Sequence, residues 1–274
     1  MSSTLIVAID GPSGVGKSTV ARQLAKRLRV PVLDTGAMYR AVALKMHQME
    51  VDSDDGEAVE RMLEDLDLEL RPDADGGVEV RLDGLPVDQK IRTAEIADAA
   101  SRVSRHSVVR RRMVELQRQV ARRSGAVLEG RDIGTVVFPD TPHKFFLTAR
   151  AEVRAERRHR ELVASGKGGT FDDVHTDILR RDERDQQRTD SPLRVDDSYF
   201  EIDTSDLKPA EIVERMVGVI RRAAAQAEDS GSEAAQDAAA ALSDPQRDPA
   251  AASSEPAPAE PQPSEADAAG VDRA

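Results

Sequence analysis

The sequence predicts an α/β protein: a P-loop NTPase core with a parallel sheet, carrying a small antiparallel β insert. Three observations predict it. The apolar run Leu5-Ile6-Val7-Ala8-Ile9 is followed by Gly11-Pro12-Ser13-Gly14-Val15-Gly16-Lys17-Ser18, which fits G-x-x-x-x-G-K-[ST], and then by a helical pattern. Strand, glycine-rich loop and helix are the context in which that motif carries meaning. Further apolar runs then alternate with helical stretches, as in a parallel sheet that binds its ligands at the strand C-terminal ends. Near 68–92 the period changes to two, broken by hairpin signals.

Taken in order, residues 5–9 are apolar throughout and read as a central parallel strand. A helix over 16–28 presents Val20, Leu24 and Leu28 on one face, and Val32-Leu33 is a short strand before Asp34. Helices are expected over 36–49 and 57–66. The insert consists of Leu68-Glu69-Leu70, Val78-Glu79-Val80-Arg81-Leu82 and Leu85-Pro86-Val87, separated by Asp73-Ala74-Asp75-Gly76-Gly77 and Asp83-Gly84. Helices follow over 93–104 and 107–124, the second with the stripe Val109, Met113, Leu116 and Val120. Ala126-Val127-Leu128 is a strand that delivers Glu129-Gly130-Arg131-Asp132 at its end, and Lys144-Phe145-Phe146-Leu147 is another. Helices over 151–164 and 171–187 flank Ser165-Gly166-Lys167-Gly168-Gly169. Tyr199-Phe200-Glu201-Ile202 is the last strand, and Pro209 opens a final amphipathic helix.

All seven Phe and Tyr residues of the 274-residue chain lie at or before Phe200. From about Ala223 the sequence is Ala, Pro, Ser, Glu, Asp and Gln, with almost nothing to bury. Such a segment cannot offset its ordering entropy, so 226–274 is expected to be a disordered acidic tail behind a catalytic domain over 1–225. The tail holds eleven acids and two arginines, most of the formal charge of −12. Removing it is expected to leave turnover and melting temperature nearly unchanged; a loss of several degrees or of most activity in the truncated chain would contradict this. Cys is absent, which removes disulfides and thiolate metal sites. The N-terminal apolar run is too short for a signal peptide, and no window approaches a membrane span. A cytoplasmic protein without a membrane partner is expected. The five histidines show no metal-ligand spacing. Arginines 110–112, 122, 123, 154, 157, 158 and 160 stand in a core that is not net basic and lacks interleaved aromatics, so no nucleic-acid partner is expected.

The glycine loop lets successive N–H groups point at one phosphate chain, and the new helix adds the positive end of its dipole. Lys17 can reach the β/γ-phosphates, and the Ser18 hydroxyl can ligand Mg²⁺. Nucleotide binding is therefore assigned to Gly11, Pro12, Ser13, Gly14, Val15, Gly16, Lys17, Ser18 and Thr19. Three other places offer chemistry. Asp34-Thr35-Gly36-Ala37-Met38-Tyr39-Arg40 puts a hydroxyl and an arginine at a strand end, which suits a second anion; an N-cap at Asp34 or Thr35 with a solvated Arg40 also fits. In Gly130-Arg131-Asp132-Ile133-Gly134, Arg131 can grip a phosphate and Asp132 can accept from an exocyclic amine; a surface ion pair in a turn also fits. Arg181, Asp185 and Arg188 share one helix face, either as a site or as a solvated, paired face.

These segments, with Ile91-Arg92-Thr93, Ala99-Ala100-Ser101, Thr135-Val136-Val137-Phe138-Pro139 and Arg180-Arg181-Asp182-Glu183-Arg184-Asp185, resemble bacterial cytidylate kinase over roughly residues 4–222. The resemblance implies a nucleoside monophosphate kinase fold, with a P-loop core, a monophosphate-binding domain enlarged by the β insert, and a mobile lid near 150–170. It implies transfer of the γ-phosphoryl of ATP to CMP or dCMP with Mg²⁺ by a monomer. By similarity the acceptor phosphate meets Thr35, Arg40, Arg131 and Arg188, with Asp34 in the same motif. Cytosine meets Ser101, Arg110 and Asp132, and the ribose meets Arg181 and Asp185. Lys17, Arg131, Arg188 and the lid arginines Arg154 and Arg158 act on the transferring phosphoryl group. Thr35 stands where many members carry Ser, which keeps the hydroxyl. A kinase for another acceptor, or a catalytically silent ATP-binding module, also satisfies the phosphate loop. A GTPase would want an Asn-Lys-x-Asp guanine reader, and the chain contains no Asn.

Overall fold

A computed structural model describes residues 4–73, 77–166 and 168–230. Five parallel strands form the main sheet: β1 (Ile6–Asp10), β2 (Val32–Asp34), β6 (Ala126–Gly130), β7 (Lys144–Thr148) and β8 (Phe200–Asp203), in the order β2-β6-β1-β7-β8. β1 is central because its neighbours bury both faces. Val7 and Ile9 pack with Leu24, Phe145 and Leu147 on one side, while Ala8 packs with Leu33, Met38 and Leu128 on the other. The first side is covered by α1 (Lys17–Leu28) and α8 (Pro209–Ser230), whose Met216 and Ile220 are fully buried. The second is covered by α2 (Thr35–Gln48) and α5 (Ser107–Ser124), with α3 (Gly56–Glu64) and α4 (Ala94–Val103) beyond. The chain leaves β1 toward β6 and β2 and later returns on the opposite side to β7. The reversal of direction at β1 places a crevice at its C-terminal end, and the phosphate loop emerges there.

The insert is an antiparallel sheet of β3 (Leu68–Pro72), β4 (Val78–Leu82) and β5 (Leu85–Pro86), so its third strand is one residue shorter than the pattern suggested. Asp83 and Gly84 both have positive φ, 51° and 73°, as a two-residue hairpin turn demands. The middle of the preceding turn, residues 74–76, lies outside the described residues. Val80 and Leu82 join the core beside Met38 and Ile91, fixing the insert to the body of the protein.

Caps decide several helix starts. Asp34 accepts from the Ala37 N–H at 2.9 Å, and Thr93 accepts from the Ile96 N–H at 3.2 Å. Thr170 and Asp173 form a reciprocal capping box at the start of α7 (Phe171–Gln186). α7 packs against α6 (Ala151–Ala164) through Ala155, Val174 and Ile178. These two helices and their connection include the stretch expected to act as a lid, of which Lys167 lies outside the described residues.

Beyond shifts of a residue or two at element ends, the structure departs from the sequence reading in three places. Residues 133–137 form a π-helical turn that was not expected, with the Phe138 N–H donating to the Ile133 carbonyl at 2.7 Å. α7 ends at Gln186, so Arg188 lies past the helix rather than on its face and reaches back to Asp185. α8 runs on to Ser230, so the first five residues assigned to the tail are helical. The truncation considered above therefore belongs after Ser230; residues 231–274 lie outside the described residues.

Candidate active site

The phosphate loop is shaped by what its glycines permit. Gly11 has φ 146°, and a Cβ there would lie 2.2 Å from the Leu147 carbonyl oxygen of β7. Gly16 takes φ 93° to turn the chain into α1. The Lys17 ammonium is nearly buried and donates to the carbonyls of Gly11 at 2.8 Å and Pro12 at 2.7 Å. Burial, and then the Arg131 guanidinium, push its pKa well below the ordinary lysine value.

The Ser18 hydroxyl donates to Glu129 Oε2 at 2.9 Å. Glu129 was not singled out from the sequence, although its signal is there: an acid at the C-terminal end of an apolar strand. Burial, and then the charge of Asp34, push its carboxyl up to about 7. The lid arginines divide into two groups. Arg154 is buried, pairs with Asp182, and donates to the Ser13 carbonyl at 3.2 Å, so it buttresses the loop from behind. Arg158 borders the cleft and pairs with Glu161 at 3.1 Å. Arg157, within the same 154–158 stretch of lid arginines, also borders the cleft and donates to the Thr204 carbonyl at 2.6 Å.

Opposite the loop, the ends of β2, β6 and α7 converge. Asp34 caps α2 with one oxygen and holds Arg40 with the other at 2.9 Å, so the N-cap reading is correct for Asp34 and its carboxylate orients Arg40. The Thr35 hydroxyl donates to the Glu129 carbonyl at 2.7 Å and must rotate away to reach a phosphate. Arg131 and Asp132 do not pair with each other. Arg131 pairs with Asp185 at 2.7 Å, and Asp132 pairs with Arg110 in a buried contact. Arg110 also lies 5.6 Å from the centre of the Tyr39 ring.

Asp185 is 1% exposed and is shared by Arg131 and Arg188, which removes the solvated-face alternative for this helix. Burial raises its pKa, but Arg131, Arg188 and Arg181 outweigh that and hold it below the carboxylate range. Arg181 is brought down to about 10 by burial and by Arg131. Ser101 is buried with its hydroxyl unpartnered among the described residues, and the Nε atoms of Arg40, Arg110, Arg181 and Arg188 are likewise buried and unpartnered.

Apart from Gly11, Pro12, Leu147, Arg154, Asp182 and Thr204, the site residues named above line one cleft of about 610 Å³. Ten basic side chains face it against five acidic ones, so it is built for an anion. One end is the phosphate loop. The other holds Arg40, Arg110, Arg131, Arg181 and Arg188 with Asp132 and Asp185, a mixed set that can hold both a phosphate and a polar ring. No cluster of three potential metal-ligating acids, histidines or cysteines occurs among the described residues. No described helix is long and apolar enough to cross a membrane.

A parallel sheet with a phosphate loop at the end of its central strand, facing a second arginine-lined anion site, defines a P-loop phosphotransferase. The family model described as cytidylate kinase matches residues 7–222, and the chain belongs to that family. It is 44% identical over 216 residues to the cytidylate kinase of Carboxydothermus hydrogenoformans, covering 79% of this chain and 97% of the relative. The cytidylate kinase of Syntrophotalea carbinolica is 44% identical over 220 residues, covering 80% and 93%, and that of Clostridioides difficile is 40% identical over 216 residues, covering 79% and 98%.

Proposed function

We propose that this chain transfers the γ-phosphoryl of ATP to CMP or dCMP, with ATP on the phosphate loop and the monophosphate at the arginine-lined end. The observation that carries this reading is the convergence of five arginines and two aspartates on one cleft opposite the loop. Phosphoryl transfer asks the protein for positioning and cationic screening more than for covalent chemistry. Lys17 exchanges its hold on the Gly11 and Pro12 carbonyls for the β/γ-phosphate oxygens. Arg40, Arg131 and Arg188 take the acceptor phosphate, with Thr35 beside them. Arg181 and Asp185 hold the ribose, and Arg158 approaches the donor phosphates from α6 as the lid closes. Arg154 acts at one remove by bracing Ser13.

Ser18 and Glu129 suit Mg²⁺, which is typically bound through one or two carboxylates plus substrate phosphates and retained water. A carboxyl that burial has pushed up to about 7 is one that a dication would hold ionised. When bound, the ion would supply positive charge that offsets the charge developing during phosphoryl transfer. Cytosine recognition falls to Asp132, held by Arg110, and to the Ser101 hydroxyl. The exocyclic amine of cytosine donates to a carboxylate, whereas uracil presents an oxygen that the carboxylate repels. A coupled ADP-release assay over a panel of nucleoside monophosphates tests the reading: turnover should be high with CMP and dCMP and weak with UMP, AMP and GMP. A preference for any other acceptor overturns it.

Arg188→Ala is expected to weaken CMP binding far more than ATP binding. Its charge-assisted contact to phosphate is worth about 1.5–3 kcal/mol. Asp185 keeps Arg131 as a partner in the variant, so the acceptor end should persist. Calorimetry with each nucleotide separately checks this; equal weakening would place Arg188 away from the acceptor.

A further inference from the structure

Asp10, the last residue of β1, has no part in the assignments above; it is fully buried, and it directly precedes the phosphate loop. Its backbone stands in register with Gly130 across the β1–β6 pair. Its side chain accepts the N–H of Ile133 on one oxygen and the N–H of Gly134 on the other, both at 2.9 Å. These N–H groups open the π-helical turn. The Tyr199 hydroxyl donates to the second oxygen at 2.7 Å. The chain is therefore held to Asp10 at Gly130 and again at Ile133 and Gly134. The two residues between those anchor points are Arg131 and Asp132. The enclosure is tight: a Cβ at Gly130 would lie 2.7 Å from Ile133 Cδ1, and one at Gly134 would lie 2.6 Å from the Tyr199 hydroxyl oxygen.

We propose that Asp10 is a positioning residue that aims Arg131 and Asp132 at the acceptor nucleotide by clamping the chain on either side of them, with Tyr199 completing the clamp. A carboxylate suits the task because its two oxygens meet two N–H groups at the positive end of a helical turn. An amide of the same shape offers one acceptor and turns its own donor against the second N–H. Burial raises the Asp10 carboxyl and the N–H groups of Gly134 and Ile133 lower it, so that it stands at about 6 and is held toward the ionised form that makes both contacts. Asp10 also directly precedes Gly11, so the same residue ties the acceptor-side loop to the start of the phosphate loop.

The inference rests on the reading of Asp132 as the cytosine contact, and the experiment separates the two. kcat/KM is measured for CMP and for UMP in Asp10→Asn, Asp132→Ala and the double variant, with the ATP dissociation constant measured by calorimetry. Asp10→Asn is expected to lower kcat/KM for CMP on the order of 10²-fold, the cost of a misplaced contact, and to lower it for UMP by less, because UMP loses the aim of Arg131 on the phosphate but gains nothing from that of Asp132. ATP affinity should be unchanged. In the Asp132→Ala background the same substitution should narrow the CMP/UMP ratio no further, because the two act through one contact. Equal losses for CMP and UMP in Asp10→Asn, or additive narrowing in the double variant, overturn the proposal. If Asp132→Ala narrows the ratio and Asp10→Asn does not, only the clamp fails. If Asp132→Ala itself leaves the ratio intact, the cytosine assignment and the clamp both fail. Should Asp10→Asn not fold, Tyr199→Phe enters the same cycle: a narrowed ratio supports the clamp and an unchanged one overturns it.

Discussion

Lys17→Ala is expected to lower kcat by about 10²–10³-fold while the protein stays folded, the range that follows loss of one group stabilising charge in a transition state. Lys17 is the cation that the sequence places beside the β/γ-phosphates. In the structure it is nearly buried at the mouth of the loop and donates to two loop carbonyls. The melting temperature should not fall. Burial and Arg131 depress the folded-state pKa of Lys17. The charged ammonium therefore opposes folding at every pH below the pKa of the unfolded chain, and removing it relieves that cost. Single-turnover rates at saturating ATP and CMP, with thermal unfolding of the same preparation, check both parts. Near-normal turnover in a folded variant would refute the assignment of the loop.

Asp132→Ala is expected to lower kcat/KM for CMP and leave UMP far less affected, shifting their ratio roughly 10²-fold, equivalent to about 2.7 kcal/mol. The structure adds a consequence that spacing could not show. Asp132 is the counter-ion of buried Arg110, so alanine strands that guanidinium. A loss of melting temperature is therefore expected alongside the change in selectivity. Asp132→Asn separates the effects, because its amide oxygen can still face Arg110 while its NH₂ faces the base. That variant should retain more stability and favour uracil. A uniform fall for both acceptors in both variants would mean that Asp132 supports Arg110 and leaves cytosine selection to Ser101.

The phosphate loop was legible in the sequence because its chemistry is local. Glycines at fixed spacing, Lys17 and Ser18 act through backbone curvature and reach within one turn, and the flanking strand and helix are encoded by their own periods. The β insert was legible for the same reason, since Asp83-Gly84 forces its hairpin whatever packs around it. The ends of β2 and β6, which carry Asp34 and deliver Arg131 and Asp132, were likewise legible from their apolar runs.

Their partners were not legible. Arg131-Asp132 reads as a neighbouring ion pair, but the two side chains diverge because Asp185 and Arg110, brought in from α7 and α5, offer buried partners. Arg154 reads as one lid arginine among several, and only packing turns it behind the loop toward Asp182. Ile133-Gly134-Thr135-Val136-Val137 has the composition of a strand, yet it coils because the Asp10 carboxylate captures the N–H groups of Ile133 and Gly134.

By itself, the sequence determined the α/β class, the phosphate loop and the residues that could grip a second anion, because periodicity, glycine spacing and side-chain chemistry are properties of short segments. Only the tertiary structure decided which of those residues face one another, that Glu129 stands beside Ser18, and that Asp10 holds the loop carrying Arg131 and Asp132. The contacts of Glu129 and Asp10 join positions more than a hundred residues apart, and their strength comes from burial, which no short segment can supply alone.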